Sequence, residues 1–504
     1  MWPEGRAAAR LALLLLLAAG CRTLPPVPAD HVVMVDGRGR LVDPTGNVGC
    51  REGQALCRGR HSYLVPYRPL GTAGTEAYLD RVVAALRRHR PGPDGRRHVL
   101  LFIHGGLNTQ VGSVERAARL AEAIAATGAF PIFVNWQSSL LSSYFDHLFN
   151  VRQGEPWGWK GWWMAPVYLA TDVARGVARA PQVWAFLLWN DLKTLPHVQR
   201  PDQEAARRVA DEIEAQGGPF PLAEGVKDRS PWEMGLSGAT WLLTLPTKLL
   251  TAPFLDAFGT SAWDDMLRRT ELLFHTDAEY GPHPEGPGTP PSGYLGVAPQ
   301  GALARFLGRL TRLVAEEGGP GAWEITLVGH SMGTLVLNRV VRDFGETPAG
   351  PMPYDRIVYM AAACSIADYE ESLFPYLARN PRAQVYHLTL HDVADLRERW
   401  DPIPYLDLPP RGSLLVWIDS FLADPLTPRQ RTAGRFVNLA VSLHDTPAAL
   451  RPRIHVREFD VGRRFRATDP QEHGDLSRPF HFWDPACWWP GAPDPAACME
   501  DAYR

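Results

Sequence analysis

Residues 324–337 read EITLVGHSMGTLVL, and how this stretch is read decides the fold. The apolar run Glu324 to Val328 predicts a short buried strand. Thr334 to Phe344 predicts a helix with Leu335, Val336, Val340, Val341 and Phe344 on its apolar side. Between them lies Gly329-His330-Ser331-Met332-Gly333. A serine on so sharp a strand-to-helix turn sits in a strained backbone, with its hydroxyl held out at the sheet edge. The residues two before and two after it must be small if strand and helix are to pass closely, and Gly329 and Gly333 meet that need. The glycine pattern alone recurs by chance in a Gly-rich chain, so its weight comes from the flanking strand and helix.

Upstream, His98 to Ile103 (HVLLFI) is a continuous apolar run of the kind found in strands buried on both faces of a parallel sheet. It feeds into His104-Gly105-Gly106-Leu107-Asn108. A helix over Val114 to Ala126 and a strand over Phe130 to Trp136 follow, the spacing of a right-handed parallel crossover. Ala77 to His89 and Gly301 to Glu317 read as amphipathic helices. Downstream, Arg356 to Met360, Ala383 to Leu390 and Ile454 to Val461 read as strands, with helices within Ser413 to Asn438. The alternation predicts an α/β fold with one mostly parallel central sheet flanked by helices.

With these neighbours in place, the serine segment resembles the nucleophile elbow of the α/β-hydrolase superfamily, and His104-Gly105-Gly106 resembles the oxyanion loop of its lipases and esterases. The resemblance covers Val99 to Trp136 and Trp323 to Trp489. It implies a Ser, acid, His order along the chain, each residue at a strand end. Ser331 is then the nucleophile. The acid follows the second strand after the elbow, where Asp392 is the nearer carboxylate and Asp395 the reserve. The base lies after the last strand, where His473 sits in a Glu/Gly/Asp turn and His481 among aromatics. His473 is preferred. The oxyanion donors implied are the backbone N–H of Met332 and one near Gly106. The activity implied is cleavage of carboxylic esters with apolar acyl chains through an acyl-enzyme, with no metal or organic cofactor. Thioesterase, amidase and peptidase chemistry would share the triad. A second reading is a catalytically silent envelope lipoprotein that binds lipid or a protein partner. His387, His391 and Asp392 lack a further well-spaced ligand for a metal site.

The remaining segments set location and organisation. Of 504 residues, 45% are hydrophobic and 21% charged, which allows a large core. The formal net charge of -3, without a basic stripe, argues against nucleic acid. Arg6 and Arg10 precede the apolar run Leu11 to Ala19, too short to span a bilayer but suited to a signal peptide. It ends in Leu17-Ala18-Ala19-Gly20-Cys21, which resembles a bacterial lipobox with Cys21 as the lipidated thiol. Export to the bacterial envelope makes Cys50/Cys57 and Cys487/Cys498 expected local disulfides and leaves Cys364 a buried thiol. His31 to Asp43 reads as a small hairpin around Asp36-Gly37.

Residues 137–300 hold roughly half of the 17 tryptophans. Their apolar pieces, Pro166 to Trp189 and Leu236 to Gly259, are broken by charged residues and prolines and read as helices of a lid or cap. The expected organisation is a leader and lipobox over 1–21, an extension over 22–75, a hydrolase core from 76–136 and 301–504, and a Trp-rich helical cap over 137–300. Expected partners are an ester substrate, small or lipid, and the membrane, met through the lipid anchor and the cap.

Overall fold

The computed structural model describes residues 21–48, 59–152, 155–156, 158–193, 208, 231–276, 279, 298–400, 409–459, 469–488 and 495–500. The leader before Cys21 and the Cys50/Cys57 pair lie outside the described residues. In chain order the principal strands are β1 (Val32–Val35), β2 (Arg97–Ile103), β3 (Phe130–Trp136), β4 (Trp323–His330), β5 (Arg356–Met360), β6 (Gln384–Thr389) and β7 (Ile454–Glu458). The principal helices are α1 (Thr72–Arg88), α2 (Gln110–Ala126), α3 (Leu140–Phe149), α4 (Trp159–Leu192), α5 (Pro231–Glu271), α6 (Ala302–Glu316), α7 (Gly333–Phe344), α8 (Ile366–Arg379), α9 (Asp392–Arg397) and α10 (Phe436–Asp445). The chain is of α/β type, with parallel strands and flanking helices in each of two compact units.

The first unit comprises 1–139, 269–324 and 347–349. Its strands run β2-β3-β1, with Val99 opposite Phe130 and Val32 opposite Phe133, both pairings parallel. Val32–Val35 is therefore a sheet strand and not part of a peripheral extension. The expected hairpin turn does form beyond it: Asp36 N–H donates to the Arg40 carbonyl at 2.9 Å, and Val35 bridges Leu41. A four-residue apolar run beside a turn looks self-contained, yet burying all four side chains requires the pairing with β3, about a hundred residues away. Tyr78 on α1 clamps this strand by donating to the carbonyls of Ala29 and Val32 at 2.7 and 2.8 Å.

The second unit comprises 140–268, 325–346 and 350–504. Its strands run β7-β6-β5-β4, all parallel, with Arg356 opposite Thr326 and Gln384, and Val385 opposite Ile454. Every residue of β4 is buried. Parallel strands with helices on their faces lose water from both sides, which is why they read as unbroken apolar runs and not as alternating ones. Ser365 starts α8 as its N-cap, its Oγ accepting from Asp368 N at 3.1 Å.

The tryptophan-rich residues form two long helices. α4 has 34 residues and carries Pro166 and Pro181 inside it; α5 has 41 and carries Pro246 and Pro253. No described helix is long and apolar enough to cross a membrane.

A backbone crossing holds the strand ends of the second unit. Gly434 N–H donates to Ala362 O and Ala433 N–H to Cys364 O, both at 2.8 Å. A Cβ at Gly434 would lie 2.1 Å from Ala362 N and 2.4 Å from Ala361 C. Both are backbone atoms, which cannot rotate aside as a side chain would. Gly434→Ala is expected to destabilise the protein by about 1–3 kcal/mol, read as a lower urea midpoint with an unchanged slope.

Candidate functional site

The site is built where β4 turns into α7. Ser331 has φ 53°, a left-handed conformation that costs a non-glycine residue roughly 1–3 kcal/mol. Four hydrogen bonds hold it there. Its N–H donates to Met360 O at 2.9 Å, and its carbonyl accepts from Ala363 N at 3.1 Å, Thr334 N at 3.0 Å and Thr334 Oγ1 at 2.7 Å. The buried Oγ, by contrast, has no hydrogen-bond partner among the described residues. Gly329 eases the close passage: a Cβ there would crowd Leu337 Cδ1 at 3.0 Å and Thr334 Cα and Cγ2 at 3.2 Å. Met332, the N-cap of α7, is fully buried, and its N–H donates to nothing among the described residues.

His473 lies beside this turn. Its carbonyl accepts from His330 Nε2 at 3.0 Å, which fixes the proton of His330 on that nitrogen, and the two rings stand 5.0 Å apart. Its N–H donates to Glu398 Oε2 at 2.8 Å. The imidazole is thus placed by its own backbone, and both ring nitrogens are without a hydrogen bond among the described residues. Burial lowers its pKa from an ordinary 6.5 to about 4, so the ring is neutral and able to accept a proton at neutral pH. His481 instead stacks on Trp483 at 4.8 Å and donates its N–H to Cys498 O, next to the Cys487–Cys498 disulfide.

The two candidate acids sit one turn apart on α9 and have different surroundings. Asp392 is buried and ion-paired with Arg435, which also reaches Asp419 at 3.4 Å. Asp395 is fully buried, and that burial pushes its pKa from 3.8 up to about 7. The positive charge of Arg435 opposes the rise, while Asp392 and Asp419 add to it. Neither carboxylate is hydrogen-bonded to the His473 ring. The structure therefore brings His473 against His330, the residue before Ser331, and leaves the relay from acid to base to serine unconnected, with no hydrogen bond between Ser331 Oγ and the His473 ring. Glu398, raised well above the ordinary carboxyl range by burial, is the carboxyl that touches His473, through its backbone.

Arg435, Asp419 and Glu398 were missed in the sequence. Their contacts join residues 43 and 75 positions apart, and no local pattern marks them. His387 stacks on Tyr359 at 5.0 Å and meets Tyr369 edge to face at 4.8 Å. His391 caps α9 by accepting from Val393 N at 3.1 Å. Cys364 is a buried free thiol, pushed up to about 12 by desolvation.

In the first unit, the loop after β2 is tightly organised. Asn108 Nδ2 donates to the carbonyls of Gly105 and Gly106 at 2.9 Å each, and Ser138 Oγ to that of Gly105 at 3.1 Å. Arg116 holds Asn108 Oδ1 at 2.9 Å. Because N–H and C=O of a trans peptide point in opposite directions, fixing the Gly105 carbonyl turns the Gly106 N–H away from Asn108. His104 accepts from Trp136 N at 3.0 Å through Nε2, so its proton sits on Nδ1, facing Gly105 O at 2.7 Å. Its role is structural, with burial lowering its pKa to about 3.

One grouping with metal-ligand geometry occurs among the described residues: Asp94, His98 and Glu324, also in the first unit. Arg96 pairs with both carboxylates, at 2.9 and 2.5 Å, so a guanidinium already supplies the positive charge. When the chain was compared with protein-family models, curated proteins and solved structures, nothing matched.

The raised pKa of Asp395 has a definite sign. Between pH 3.8 and about 7 the folded protein holds a proton that the unfolded chain has released, so this group's stabilising contribution is lost as pH rises through about 7. Asp395→Asn cannot ionise. It should exceed the native protein in stability above about pH 7 by more than about 1 kcal/mol, with the gap closing as pH falls, in urea titrations at several pH values.

Proposed function

We propose that this protein is a serine hydrolase of α/β-hydrolase type that cleaves carboxylic esters with apolar acyl chains. One observation carries the reading: a strained serine, fixed by four hydrogen bonds with its hydroxyl unengaged, next in sequence to His330, against which packs a buried neutral histidine whose ring nitrogens are also unengaged. Holding a serine at positive φ costs stability, and the hydroxyl gains no hydrogen bond in return. Such strain is expected where geometry serves chemistry.

In the reaction, Ser331 Oγ attacks the acyl carbonyl carbon while His473 takes the hydroxyl proton. The tetrahedral oxyanion is stabilised by the Met332 N–H at the start of α7, whose helix dipole adds to the effect. The proton on His473 passes to the departing alkoxide, leaving an acyl-serine and an alcohol. Water, deprotonated by His473, then releases the carboxylic acid and restores Ser331. Asp392 orients and stabilises the charged imidazole in this reading, and Asp395 is the reserve. A hydrogen bond that is open in the resting enzyme closes in the substrate complex.

The proposal also places the mature chain outside the cytoplasm, anchored through a lipid on Cys21. The Cys487–Cys498 disulfide supports this, since such bonds persist in oxidising compartments. The competing reading, a silent lipoprotein, is favoured by the commitment of Asp392 to Arg435.

Labelling decides between them. The native protein should react with a fluorophosphonate at Ser331, and Ser331→Ala should lose labelling and at least about a thousandfold of its esterase rate. A folded native protein inert to the probe and to esters of every chain length would leave only the silent reading. Since the base acts when neutral, kcat/KM should hold through the mildly acidic range and fall only as pH approaches about 4. A fall centred near 6.5 would show that the resting environment of His473 is not the one that governs catalysis.

A further inference from the structure

Helix α4 and the part of α5 packed on it turn much of their apolar bulk outward. On α4 the buried stripe is mostly small or acidic, Gly161, Ala165, Asp172, Gly176, Ala180 and Asp191 at helical spacing, with Val183 and Leu187 among them, while the later part of α5 buries Trp263 and Met266. The large apolar groups face outward: Trp159 is 72% exposed, Trp162 62%, Trp163 75% and Trp189 48%. Leu242, Leu243 and Leu250 do the same on α5. The helices meet through these small residues, for a Cβ at Gly176 would lie 2.3 Å from Pro253 O. Several polar groups are paired inside. Asp172 accepts from Tyr144 at 3.1 Å and Ser261 at 3.3 Å and contacts His147 at 3.1 Å, and Trp241 Nε1 donates to Asp191. Lys248 is fully buried and donates to Thr244 Oγ1 at 3.1 Å.

A helix pair solvated by water turns the opposite faces out. Small residues at the contact, polar groups paired inward and bulky apolar groups outward are the arrangement that an apolar surrounding stabilises. The pattern also says which surrounding. A docked protein covers a bounded patch, whereas here apolar groups line both helices and recur along all of α4, about 51 Å at 1.5 Å per residue. Lysines accompany the tryptophans at both ends of α4: Lys193 lies 5.7 Å over the Trp189 ring, and Lys160 follows Trp159 in the sequence, a combination favoured at the headgroup level of a bilayer. The length exceeds the ~30 Å hydrocarbon thickness, and neither helix is apolar enough to cross.

We infer that α4 and the adjoining part of α5 lie in the plane of a lipid bilayer, with their tryptophan and leucine side chains at the boundary between headgroups and acyl chains. This surface binds membrane independently of any lipid on Cys21, and the inference does not depend on the hydrolase reading. The same hairpin touches α9, and Asn190 donates to Ser420 at 3.0 Å, so the membrane-facing helices are continuous with the unit that holds Ser331.

The test uses the full chain as Cys21→Ser, which carries no lipid, with vesicles of phosphatidylcholine and phosphatidylglycerol. It should float with the vesicles, show quenching of tryptophan emission by brominated acyl chains, and remain bound in high salt. A Trp159→Gln/Trp163→Gln/Trp189→Gln variant should bind at least about tenfold more weakly while melting like its parent, since all three sites are exposed. Failure of the parent to float, equal binding by the triple variant, or release by salt alone would overturn the inference. So would a lipid-free oligomer that the triple variant converts to monomer, because a second copy would then cover this face.

Discussion

The buried guanidinium of Arg435 is the interaction on which the candidate site depends. It is shared between Asp392 on α9 and Asp419, and Asn438 Nδ2 donates to the same Asp419 at 2.7 Å. Burial alone would disfavour its charge, yet the neighbouring carboxylates hold its pKa above the ordinary arginine value. Removing one partner of such a set leaves an uncompensated buried charge, a cost of about 3–5 kcal/mol. From Arg435 the constraint runs along the backbone: Gly434 is bonded to Ala362, and Ala363 in turn donates to the carbonyl of Ser331. The serine's carbonyl is thus bonded to the same strand-end backbone that Gly434, the neighbour of Arg435, crosses.

This arrangement separates two demands made on the same carboxylates. A carboxylate that steadies a catalytic imidazole needs to face it, whereas one that holds a loop needs a cation. Asp392 meets the second demand in the resting structure, and Asp395, buried and prone to keep its proton, meets neither as an anion. His473 is held instead through its main chain, between Glu398 and His330. Positioning a ring by its backbone leaves open the one nitrogen that a general base needs, at the cost of leaving both nitrogens desolvated and unpaired.

Much of the framework was legible because it is local. The strands β3 and β5 follow from apolar runs bounded by turns, and the serine turn follows from its glycine spacing, with Leu337 and Thr334 crowding the place of a Cβ at Gly329. The strand Val32–Val35 was read as peripheral because its partner is far away in sequence. The tryptophans of α4 were conspicuous, but their direction was not. A helical repeat of small residues and aspartates identifies a stripe without saying whether protein or lipid lies against it.

By itself, the sequence determined the α/β class, the sharp turn at Ser331 and the ordered supply of acids and histidines behind it, since periodicity, glycine spacing and strand length are properties of neighbouring residues. Only the tertiary structure decided which of those groups meet. It set His473 against His330, committed Asp392 to Arg435, brought Glu398 to the backbone of His473 and turned tryptophans of α4 outward. Such choices are made by charge pairing and burial between residues dozens of positions apart, and no window along the chain contains both partners.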